Sequence, residues 1–124
     1  MFELVVGEHF DAAHFLRGYT GKCAKVHGHT WQVEIRVQGE KLNECGMLVD
    51  FAFLKEKLKK IIGTLDHSLI NDLDYFTTIS PTAENISVYI AHKFQEMMKD
   101  VSVKICSVTV WESPRAAAIY YLDR

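Results

Sequence analysis

Apolar residues in the first part of the chain recur at every second position. Phe2, Leu4, Val6, Phe10 and Ala12 share one parity and His14 falls on it, which predicts a strand from Phe2 to about Phe15 with that row facing inward. Thr30 to Gln38 alternates more cleanly, with Trp31, Val33, Ile35 and Val37 set against Gln32, Glu34 and Arg36. That is the pattern of a half-buried antiparallel strand. His27 and His29 continue its apolar parity and stand at its mouth, and residues 16–26 read as a loop.

The period then lengthens. Asp50 is a good N-cap, and Phe51, Leu54, Leu58, Ile61, Ile62 and Leu65 recur on one face opposite a lysine-rich one, predicting a helix that ends near Gly63. A second helix is predicted from Ser80-Pro81-Thr82, with Pro81 at its first position and Ile86, Ile90, Phe94 and Met97 on its buried face. The free amides of its first turn offer a surface for a polar ligand. Val103 to Trp111 reads as extended and apolar, Ser113-Pro114-Arg115 as a turn, and the last strand runs through Ala118, Tyr120 and Leu122.

Strands outside and helices between predict an α+β fold, a four-stranded antiparallel sheet with two helices packed on one face, spanning 1–124 as a single domain. Its long outer strands leave two open edges that nothing else in the chain is expected to cover. Edge-to-edge self-association would solve this, so a homo-oligomer is expected.

Composition narrows the functional classes. The formal net charge of −2 gives no general attraction to nucleic acid or anionic membrane. No apolar run approaches the roughly 20 residues of a membrane span, and the N-terminus lacks the pattern of a signal peptide, so a cytoplasmic protein is expected. Three cysteines, Cys23, Cys45 and Cys106, at no zinc-ribbon spacing point to reduced thiols.

The densest chemistry lies in Cys23-Ala24-Lys25-Val26-His27-Gly28-His29. In an extended chain His27 and His29 point the same way, and with His14 from a neighbouring strand they make a three-nitrogen metal site. Three protein ligands leave a tetrahedral zinc one open position, as in catalytic sites. Spacing alone equally allows a polar turn beside a satisfied core histidine. Further on, Asp66 immediately precedes His67. Neighbouring residues do not face each other in a regular helix or strand, so an orienting hydrogen bond between them requires an irregular loop.

Taken together, Ala-Ala-His14, Cys23-x-x-x-His27-Gly-His29, Gly46-Met47-Leu48-Val49-Asp50-Phe51, Leu65-Asp66-His67-x-x-Ile-Asn-Asp, Pro81-Thr82-Ala83-Glu84-Asn85 and Trp111-Glu112-Ser113 resemble the 6-pyruvoyl-tetrahydropterin synthase family, in order and over nearly the whole chain. The Cys23-to-His27 spacing and the short chain are closer to the bacterial and archaeal 6-carboxytetrahydropterin synthases of 7-deazaguanine (queuosine) biosynthesis. The resemblance implies the tunnelling fold, commonly a hexamer of two trimers whose sheets join edge to edge.

It also implies roles. His14, His27 and His29 would hold Zn2+; Cys23 would act as general base, its thiolate favoured by the metal and by Lys22. Asp66 and His67 would relay protons, and Glu112 would anchor a pterin ring by accepting paired hydrogen bonds. Thr82 and Glu84 would line the pterin pocket, with Lys22, Lys25, Arg17 or Arg115 meeting the triphosphate of 7,8-dihydroneopterin triphosphate. Cys45 and Cys106 would be inert. Phe15 stands where many relatives carry a basic residue, with Arg17 as the substitute. The implied reaction is a lyase reaction releasing acetaldehyde and triphosphate. The alternatives are 6-pyruvoyl-tetrahydropterin synthase activity, which keeps the side chain, and a non-catalytic zinc-binding oligomer.

Overall fold

A computed structural model describes every residue except 19, 20, 22, 23, 123 and 124. Lys22 and Cys23, singled out above, therefore lie outside the described residues. Strand β1 (Phe2–His14) and strand β2 (His27–Gly39) precede helices α1 (Phe51–Ile62) and α2 (Ala83–Met97), and strands β3 (Lys104–Ser113) and β4 (Ala116–Tyr121) follow. The strands form one antiparallel sheet in the order β1-β2-β3-β4.

The predicted parities hold except at the start of β1, where Phe2, expected to face inward, is 47% exposed at the strand end. Val6, Phe10 and Ala12 from β1 and Trp31, Val33, Ile35 and Val37 from β2 are buried with Val108 and Val110 of β3. They pack under Leu54, Leu58, Ile61 and Ile62 of α1 and Ile86, Ile90 and Phe94 of α2. Each of the larger aliphatic and phenylalanine side chains stabilises the fold by about 1.5–3 kcal/mol through removal from water. Asp50 caps α1 by accepting from the Ala52 amide at 2.8 Å, and Gly63 ends it.

Four further expectations are corrected. Phe51 is 49% exposed rather than core-facing; as the first helical residue it lines a cavity of about 180 Å³ with Phe2, Leu42 and Met47. Met98, not Met97, is buried after Phe94, because α2 stops at Met97 and its cap turns inward. Thr82 is the N-cap of α2, its hydroxyl accepting from the Asn85 amide at 3.1 Å; Pro81 therefore precedes the helix, and its free carbonyl becomes important below. Finally, one edge is partly covered from within the chain. The Ala13 amide donates to Ser68 O at 3.0 Å and the His67 amide to Asp11 O at 2.6 Å, so the segment after α1 shields the last residues of β1. Among the described residues, alternation of backbone direction then leaves the outward groups of Glu3, Val5 and Gly7 as the open part of that edge, the His9 amide donating to Glu8 Oε1 at 3.1 Å.

The helix-free face carries the polar parity: Glu3, Glu34, Arg36, Gln38, Ser107 and Thr109 line a concavity of about 650 Å³ together with Trp111 and Tyr121. The histidines lie elsewhere.

Candidate active site

Register brings the imidazoles together. β1 and β2 pair with His14 opposite His27 and Ala12 opposite His29, and directly opposed side chains in an antiparallel pair sit about 4.5–5.5 Å apart at Cβ. The ring centroids of His14, His27 and His29 are 4.6–5.1 Å apart. Trp31 forms the floor, its ring 4.9 Å from His14 and 5.2 Å from His29 and its Nε1–H donating to Ala12 O at 3.2 Å.

The surrounding carbonyls assign the protons. His14 Nδ1 lies 2.7 Å from Pro81 O and His27 Nδ1 lies 2.6 Å from Lys25 O, so each Nδ1–H donates there and leaves the lone pair on Nε2. Those two Nε2 atoms are 3.0 Å apart. Two lone pairs directed at one point repel unless a cation lies between them. His29 Nε2 adds to this, being buried without a hydrogen-bond partner, and one nitrogen from each ring lies within 4.8 Å of the others. Nitrogens sharing one zinc would be about 3.4 Å apart. The donor set and the orphaned nitrogen fit a zinc-like cation.

Burial pushes the pKa of His14 below the ordinary histidine value; the hydrogen bond to Pro81 and the charge of Glu112 oppose this, and the neighbouring imidazoles reinforce it. His29 is lowered for the same first reason, with Glu112 opposing. Both are thereby held neutral, the form that ligates a metal. Glu112 completes the group, its carboxylate oxygens 3.9 Å from His14 Nε2 and 3.9 Å from His29 Nε2. It shares the core-facing parity of Val108 and Val110, and the β3–β4 ladder skips it at an irregularity between Trp111 and Ser113. Such irregularities re-aim a side chain.

Beside Glu112 opens a cavity of about 230 Å³ lined by Ala83, Glu84, Ala116, Ala117 and Ala118. Glu84 thus lines the same cavity as Glu112, whereas the Thr82 hydroxyl is occupied in capping α2. Arg115 is exposed in the β3–β4 turn. Lys25 is exposed near the histidines, its carbonyl already holding His27. Arg17 is engaged, donating to Phe76 O at 2.9 Å with its guanidinium 5.3 Å from the Phe15 ring centre. Cys45 is exposed and Cys106 half-buried, both free; burial pushes the Cys106 thiol up, whereas Cys45 has none of the apolar packing expected of an inert thiol.

Asp66 and His67 form the irregular turn that their adjacency requires. His67 has φ 57°, a left-handed conformation costing a non-glycine residue on the order of 1–3 kcal/mol, and this brings its Nδ1 to 3.0 Å from Asp66 Oδ1. The Asp66 carboxyl is held below the usual carboxylate range, chiefly by the Asp11 amide that donates to it at 3.0 Å and then by His67. The imidazole is 80% exposed. Asp11, on the opposite parity of β1 from His14, belongs to the other face of the sheet, so this pair and the three imidazoles form two separate clusters.

Sequence reasoning missed two residues here. Asn71, 4% exposed, clamps the residue after His14, accepting from the Phe15 amide and donating to the Phe15 carbonyl at 3.0 Å each. Its one signal was its place in the motif that begins at Leu65, where no role was given to it. Asp11 gave none, since a polar residue on the outer parity of a strand is ordinary.

A four-stranded antiparallel sheet backed by two helices, with a metal-ready histidine triad at the end of its first strand pair, defines a T-fold enzyme. Comparison with known proteins makes this particular. Residues 3–123 match the family model for 6-pyruvoyl tetrahydropterin synthase, and the chain belongs to that family. It is similar to the 6-carboxy-5,6,7,8-tetrahydropterin synthase of Bacillus subtilis, 36% identical over 96% of this chain and 84% of that one. The enzyme of the same name from Haemophilus influenzae is 30% identical over 97% and 99%. A solved structure of Caenorhabditis elegans 6-pyruvoyl tetrahydropterin synthase superposes with a TM-score of 0.89 at 27% identity, covering 98% of this chain and 96% of that one.

Proposed function

We propose that the chain is a zinc-dependent lyase that converts 7,8-dihydroneopterin triphosphate and one water to 6-carboxy-5,6,7,8-tetrahydropterin, acetaldehyde and triphosphate, in the branch leading to queuosine and other 7-deazaguanines. The observation that carries this reading is the pair of facing Nε2 lone pairs beside the orphaned nitrogen of His29, with Glu112 between the imidazoles and a cavity. The names of the bacterial relatives support the carboxy product over the pyruvoyl one.

His14, His27 and His29 would hold the metal, which when bound supplies Lewis-acid polarisation of side-chain hydroxyls. Glu112 fixes the pterin by accepting from its 2-amino group and N3–H. Cys23 removes a side-chain proton, and His67 exchanges protons through its exposed Nε2 while Asp66 holds Nδ1. Thr82, through α2, and Glu84 shape the pocket; Lys22 and Arg115 supply positive charge for the triphosphate. His67 belongs to the opposite face from the imidazole triad, so a substrate anchored at Glu112 meets it only in a second copy. A homo-oligomer, of which a hexamer of two trimers is the proposed form, is part of this reading. Sedimentation as a monomer at micromolar concentration would contradict it.

The reading is tested by incubating zinc-loaded protein with 7,8-dihydroneopterin triphosphate, identifying the pterin by mass spectrometry and assaying acetaldehyde. 6-Pyruvoyl-tetrahydropterin without acetaldehyde would assign the other activity of the family. In the same assay Glu112→Gln should raise KM about 10- to 100-fold, the worth of a charge-assisted hydrogen bond, because one of its two acceptors becomes a donor. An unchanged KM would remove Glu112 from the pterin pocket.

A further inference from the structure

We propose that Asp11, held by Thr30, is a positioning residue for the Asp66–His67 pair. The inference rests on the proton-relay reading of that pair and adds what keeps it in place. A strained, exposed histidine stays in one conformation only if its surroundings over-determine it. Besides the bonds of the Asp66 amide to Ile62 O and of the Ser68 hydroxyl to Leu65 O, three constraints come from one stretch of β1. The Asp11 carbonyl accepts from the His67 amide at 2.6 Å, the Asp11 amide donates to Asp66 Oδ1 at 3.0 Å, and the Ala13 amide donates to Ser68 O at 3.0 Å.

The side chain of Asp11 has a separate part. Its Oδ1 accepts from the Thr30 hydroxyl at 2.6 Å across the β1–β2 pair, where Asp11 and Thr30 are register partners. So anchored, the Asp11 carboxylate lies with the Asp66 carboxylate and a ring nitrogen of His67 all within 4.8 Å of one another. One imidazole is therefore bracketed by two carboxylates. Asp66 bonds directly to Nδ1, and Asp11 adds a second fixed negative charge that attracts the ring whenever it carries a proton. This restricts ring rotation and keeps Nε2 presented outward. The cluster is not read as a second metal site: all three residues are exposed, and both carboxylates already accept hydrogen bonds.

The experiment compares zinc-loaded wild type with Asp11→Asn, Thr30→Val and Thr30→Ser, measuring kcat and KM for 7,8-dihydroneopterin triphosphate, metal content, and the ring 15N signals of His67 by NMR. Asp11→Asn and Thr30→Val should each lower kcat about tenfold, with KM within twofold and zinc unchanged. Thr30→Ser, which keeps the hydroxyl, should restore kcat. In wild type the neutral ring should be the single Nδ1–H tautomer, and in Asp11→Asn a mixture. Wild-type kcat in Asp11→Asn, or equal loss in Thr30→Ser and Thr30→Val, overturns the assignment. An inactive wild type overturns the proposed reaction instead, and the NMR comparison then decides Asp11 alone: identical ring signals in wild type and Asp11→Asn refute it.

Discussion

Zinc-loaded Cys23→Ala is expected to keep its metal and its assembly while turning over about 10²- to 10⁴-fold more slowly, the usual worth of a general base in place. In the proposed mechanism Cys23 takes the side-chain proton as a thiolate, the form that neighbouring positive charge favours in general. His67→Asn should cost a similar factor. The double variant should lose little more than either single one, since residues that act on one proton path are non-additive. Wild-type turnover in Cys23→Ala would refute the base assignment; equal losses of activity and zinc would make Cys23 a ligand instead.

Removal of the metal is the other large effect. Stripping zinc with a chelator should abolish turnover and lower the thermal midpoint, since a ligand bound only by the folded state at about a thousand times its Kd adds about 4 kcal/mol. Acid should act in the same direction. His14 and His29 have folded-state pKa values pushed below the ordinary 6.5 by burial. As pH falls below that value the unfolded chain takes up protons that the folded chain refuses, so the stability present above 6.5 is lost progressively toward the folded pKa values. Protons also compete with the metal for the same nitrogens. Metal content and thermal midpoint followed between pH 8 and pH 5 should decline together. Constant zinc occupancy down to pH 5 would exclude the histidines as its ligands.

How much of this was legible in the chain follows from the range of each interaction. The parity that buries Val6, Phe10, Trp31 and Ile35 is a property of consecutive residues, and so is the Asp50 cap. The need for an irregular backbone between Asp66 and His67 was equally local, and the left-handed φ of His67 meets it. Phe51 and Met97 fit the helical period but lie at helix ends, where the face is no longer covered. The partial cover of β1 escaped notice because residues 66–69 carry no strand pattern; they reach the edge through the path of the chain after α1.

The sequence by itself determined the strands, the helices, the antiparallel meander and the parity that places His14, His27 and His29 on the inward face, because side-chain direction in an extended chain depends only on position. Tertiary structure decided what those residues can do. The register set His14 opposite His27. The carbonyls of Pro81, 67 residues away from His14, and of Lys25 fixed which nitrogen keeps a lone pair. A ladder irregularity turned Glu112 toward the imidazoles, and the outer edge of β1 captured Asp66 and His67 on the other side of the sheet. The physical reason is one of distance along the chain: periodicity records burial residue by residue, whereas proton placement and charge depend on partners brought together only by folding.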